Sequence, residues 1–143
     1  MLPGADGQAW LLSTFDAPDF STVCTRRARS NTPLQSLTVA NDQVFTELAE
    51  GLARRVLLDA SRTTDEARCR AAFRHCLTRE PAPVELYVLQ NFLSRELSRF
   101  QSSPEDAKKF VTRRDSDPAA EVLAAWTSTA RALFNTDEFL MRN

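Results

Sequence analysis

The sequence predicts an all-α fold, with an irregular N-terminal strap followed by a bundle of four to five main helices. Three observations predict it. Apolar residues recur at spacings of three and four from Phe45 to Leu133, which places each set on one face of a helix. Helix-start signals precede most of these stripes. A short proline-bounded turn separates two of the stripes, which predicts an antiparallel helical hairpin.

Residues 1–31 lack sustained periodicity and contain Gly4, Gly7, Pro3 and Pro18, so they read as an extended lead-in with room for a short strand at 10–15. The helical domain then spans residues 32–143. Thr32 before Pro33, with Gln35 three residues on, has the pattern of a capping box with proline at the first helical position. Phe45, Leu48, Leu52 and Val56 form the first stripe, interrupted by Gly51, which either admits another backbone or is a tolerated weakness. Thr63 with Glu66 predicts the next helix start, leading into the stripe Cys69, Phe73, Cys76 and Leu77. After the turn come Leu86, Leu89, Leu93, Leu97 and Phe100. Residues 101–118 read as solvated and loosely ordered, with one short helix after Ser103 and Pro104. Asp117 before Pro118 predicts the start of the last helix, whose stripe is Val122, Trp126, Ala130 and Leu133.

With 143 residues, the chain can bury a core without metals or disulfides. A net charge of -1, with acids and bases interspersed, argues against nucleic acid as a partner. No apolar run approaches the ~20 residues of a membrane span, and the N-terminus lacks the pattern of a secretory signal. Cys69 and Cys76 lie seven residues apart in one predicted helix, about 10 Å along its axis, too far to bridge. Both read as buried thiols, whereas Cys24 beside Arg26 and Arg27 has surroundings that would lower its pKa.

No cofactor is expected. Three glycines form no phosphate loop, one histidine and scattered cysteines form no zinc set, and no haem-attachment motif is present. His75 lies away from most of its helix's apolar stripe and reads as solvated. The chemistry-bearing residues gather in 14–42. Arg26, Arg27 and Arg29 approach a helix start whose first amides lack intrahelical partners, a setting that favours an anion. That anion is either the chain's own Asp16 or Asp19, making a structural clasp, or an external carboxylate, sulfate or phosphate. Asp16, Asp19, Arg26, Arg27, Arg29, Thr32, Gln35 and Asp42 are the candidate site under either reading.

These residues carry a resemblance. Phe15, Asp16, Pro18 and Asp19, then Cys24, Arg26 and Arg27, then Asn31, Thr32, Pro33, Leu34, Gln35 and Leu37, closed by Asn41 and Asp42, resemble the C-terminal signature of the planctomycete domain of unknown function 1553. The segments AFRHCLTREPAPVEL and AWTSTARALFNTDEFLMRN are similar to two later motifs of that family. Thr78 stands where the family has glycine, Ser36 where it has alanine, and Phe20 where a proline or polar residue is common.

The resemblance implies a C-terminal portion of a longer, exported multidomain protein, in which this domain accompanies another uncharacterised domain and a cytochrome-c-like haem domain. On that basis the chain is expected to be a truncated or excised form, extracytoplasmic in its parent setting. As it stands, without a signal sequence, it would remain in the cytoplasm. The family supplies no reaction. The first functional expectation is a non-catalytic module that packs on or docks to the rest of its parent, and it predicts an exposed apolar patch or open groove. The alternative is part of an enzyme or ligand site for an anionic or carbohydrate substrate, with the arginines holding the anion and Asp16, Asp19 or Asp42 as acid–base groups. A redox role is conceivable only as partner to a haem domain.

Overall fold

A computed structural model of the chain describes residues 43–140, which form six helices. They are α1 (Gln43–Leu57), α2 (Asp65–Leu77), α3 (Pro83–Ser102), α4 (Pro104–Phe110), α5 (Ala120–Phe134) and α6 (Asp137–Leu140). No strand occurs among the described residues, so the all-α prediction holds there. The expected Thr32 helix start and the strand at 10–15 lie outside them.

Helix α5 is the centre. It packs against α1, α2, α3, α4 and α6, and it is buried on nearly every side, from Ala120 and Leu123 through Trp126, Thr127 and Thr129 to Phe134. Such all-round burial needs an apolar helix with small residues where neighbours come close, and AEVLAAWTSTARALF supplies both. The main core joins Val56 from α1, Cys69 and Phe73 from α2, Leu93 and Phe100 from α3, and Leu123 and Trp126 from α5, and a smaller cluster of Ala49, Ala130 and Phe134 lies between α1 and the end of α5.

The start of α2 differs by one residue from the expectation. Its cap is Thr64, whose hydroxyl accepts from the Ala67 amide at 3.2 Å. That register places Glu66 too early for a capping box, and it pairs with Arg70 instead at 3.0 Å. The hairpin is as predicted: α2 ends at Thr78 in the left-handed region (φ 59°), and α3 begins at Pro83. The Ala82 amide donates to the Glu85 carboxylate at 2.7 Å, satisfying a helix-start donor.

Helix α4 begins after Ser103 at Pro104, as expected, but it is not loose. Ala107 and Val111 are buried, and the Phe110 ring lies 5.3 Å from that of Phe100. Helix α5 starts two residues later than predicted, with Ala119 at its cap, because Asp117 is engaged elsewhere. In α1 the stripe is rotated. Ala49, Ala53 and Val56 are buried while Leu48 is 55% exposed. Gly51 is exposed with open space where a side chain would stand, which removes the close-approach explanation.

Candidate functional site

Two polar constellations and one apolar groove stand out. The first polar set fastens the 111–119 connection to α1. Arg54 donates through Nε to both carboxylate oxygens of Asp117 at 3.1 Å, through Nη2 to the Thr112 carbonyl, and pairs with Glu50 at 2.9 Å. Glu50 in turn accepts from the Thr112 amide at 3.1 Å, and Asp117 from the Arg114 amide at 2.8 Å. The Asp117 side chain is only 1% exposed. Burial acts to raise its pKa, but the Arg114 amide and the Arg54 guanidinium outweigh that and hold the carboxyl below its usual range. Every acceptor here is directed at a protein donor, so the set is a structural clasp.

The second polar set is at the surface. Arg79 grips Glu85 through two nitrogens (2.7 and 2.8 Å) and Glu138 through two (2.6 and 2.8 Å), while its guanidinium lies 4.9 Å from the centre of the Phe73 ring. Hydrogen bonds from Arg79 and from the Ala82 amide hold the Glu85 carboxyl down at about 2. The Arg79 hydrogen bond likewise lowers Glu138. This fork ties the α2–α3 turn, the first turn of α3 and α6 together.

Beside it opens a groove of about 400 Å³ between α2, α3 and the end of α5. Phe73, Leu77, Leu89, Phe92 and Leu133 line it, Val84 and Val88 form its outer wall, and Glu85 and Glu138 stand at its rim. Val84 is 73% exposed, Tyr87 66% and Val88 58%, so three large apolar side chains crowd one face of two successive turns. Single exposed apolar residues are ordinary, whereas a clustered set beside a concavity is not. The signal was present in the sequence: PVELYVL carries more apolar residues than the single inner stripe of Leu86 and Leu89 can use.

Asp16, Asp19, Arg26, Arg27, Arg29, Thr32, Gln35 and Asp42 all lie outside the described residues, as does Cys24. His75 is exposed as expected, and its pKa is lowered by partial burial and by the neighbouring charges of Arg55, Arg62 and Arg74. Cys69 and Cys76 carry free thiols, both pushed up to about 12, chiefly by burial. Among the described residues no three His, Cys, Asp or Glu side chains converge as metal ligands. No described helix is long and apolar enough to cross a membrane.

Among the described residues, fold and groove together define a helical domain with an apolar groove on one face. A model of one protein family matches residues 5–93, well over half of the chain. The chain belongs to that family, PSD1, described as a protein of unknown function (DUF1553). The match contains the signature of residues 15–42 and the AFRHCLTREPAPVEL motif, and it leaves the tail motif outside. No curated protein and no solved structure matches the chain.

Proposed function

We propose that this domain is a non-catalytic packing and docking module of a larger, extracytoplasmic multidomain protein. The observation that carries the reading is the groove beside Val84, Tyr87 and Val88, where the most exposed large apolar side chains among the described residues stand together beside a concavity. A contact of this kind suits an interface between domains of one chain, where an apolar centre is rimmed by charge. The Arg79 fork supports it by bracing the groove's rim, so that the face is preformed and association loses less conformational freedom.

The test is reconstitution with the other domains of a longer family protein, a cytochrome-c-like domain among them, produced separately. Co-elution with this chain in size-exclusion chromatography, abolished by Val84→Glu/Val88→Glu, is the expected result. Absence of association with every such domain, or association indifferent to that double change, would overturn the reading.

A further inference from the structure

The docking reading leaves open what fills the groove, and the outer face of α3 narrows it. Val84 and Val88 wall the groove, and Val88, Asn91, Arg95 and Ser98 border a second, shallower depression further along the same helix. These five residues are spaced four, three, four and three, and all are exposed. Spacings of four and three keep all five on one face of α3, a continuous strip, or seam, of the kind a second helix packs along by setting its ridges into the grooves between side chains. The inner stripe of α3, Leu86, Leu89, Leu93 and Phe100, is already buried in the core, so the seam is a separate face. Along it the Ser94 and Ser98 hydroxyls donate back to the Gln90 and Ser94 carbonyls at 3.0 Å. They leave a low surface, satisfied in its hydrogen bonds, that a second backbone can approach.

Charge gives the seam a direction. At its start Glu85 and Glu138 share the single guanidinium of Arg79, a local surplus of negative charge, while nearby Glu80 is matched by Arg74 at 3.0 Å. Ten residues on, about 15 Å along the helix, Arg95 is exposed and forms no ion pair with another described residue.

Resting on the docking reading, we infer that groove and seam together receive one amphipathic helix of about three turns from a partner polypeptide. It sets an apolar stripe against Val84 and Val88, a basic residue beside Glu85 and Glu138, and an acidic residue beside Arg95.

Three helix-stapled synthetic peptides test this. They share a leucine stripe and differ only at their ends: lysine at one and glutamate at the other, lysine at both, or glutamate at both. By fluorescence anisotropy at low salt, the mixed-end peptide should bind about threefold or more tighter than either of the others. Arg95→Glu should transfer the preference to the lysine-ended peptide. Val84→Glu/Val88→Glu, whose sites are exposed and whose helix content is checked by circular dichroism, should abolish binding of all three. Equal binding of the peptides, lost in the valine variant, would overturn the charge-directed occupant and leave the docking face standing. Binding that survives in the valine variant, or no binding of any peptide, would overturn both.

Discussion

Replacing Thr78 by glycine should stabilise the domain. Thr78 ends α2 with φ 59° and ψ 12°, the left-handed conformation that glycine adopts without a steric penalty. For an L-residue that geometry costs about 1–2 kcal/mol, and a β-branched side chain belongs at the upper end. Glycine would give back about 0.5–1 kcal/mol through the greater freedom of the unfolded chain. It would also remove the Thr78 hydroxyl's bond to the Leu77 carbonyl at 2.7 Å, which is weakly placed because it closes on the adjacent residue. The balance is a gain of about 0.5–1 kcal/mol, or about 2–3 °C in melting temperature for a chain of this size. Urea and thermal melts of wild type, Thr78→Gly and Thr78→Ala provide the assay. Alanine keeps the Cβ that causes the strain and should give no such gain. If the glycine variant is less stable than wild type while the alanine variant equals it, the left-handed cap is not strained and the reasoning fails.

Arg54→Met would leave the buried Asp117 carboxylate facing only the Arg114 amide, and should cost about 3 kcal/mol in urea unfolding; adding Asp117→Ala should recover part of that. Gly51→Ala, at an exposed mid-helix site with open space around it, should add about 1 kcal/mol in the same assay. Because the Glu85 carboxyl sits at about 2 in the folded chain against 4.5 unperturbed, its contribution is complete above pH 4.5 and is lost as pH falls through 2. Glu85→Gln should therefore flatten the decline of melting temperature across that window and leave the slope above pH 6 unchanged. With both thiols near 12, a Cys24→Ser chain should show almost no reaction with a disulfide reagent at pH 8, and two reactive thiols once unfolded.

The hairpin was legible because its signals are local: a stripe, a turn with Pro81 and Pro83, and a second stripe. The α4 start at Ser103 and Pro104 was legible for the same reason. The rotation of α1 was not, because hydropathy ranks Leu48 above Ala49 and Ala53. Close packing on α5 prefers the alanines, whose small side chains let the two axes approach. Asp117 misled in another way. A cap-then-proline pattern is a local cue, but its carboxylate is claimed by Arg54, 63 residues away, and no local pattern reveals such a partner. The groove was half legible, since the surplus apolar residues of α3 were visible while their lack of cover depends on where the other helices lie. The Asp- and Arg-rich cluster of residues 16–42, which dominates a reading of the sequence, lies outside the described residues.

The placement of α5 has a consequence for where this unit can be divided. The family match stops at residue 93, midway through α3, yet the surface that shelters Ala53 and Val56 is supplied largely by residues 120–134. A fragment cut at the family boundary would emerge from synthesis with its inward faces bare, and it would depend on chaperones or aggregate. The smallest autonomous piece must therefore reach at least through Phe134, and this late segment acts as the keystone that lets the earlier helices close.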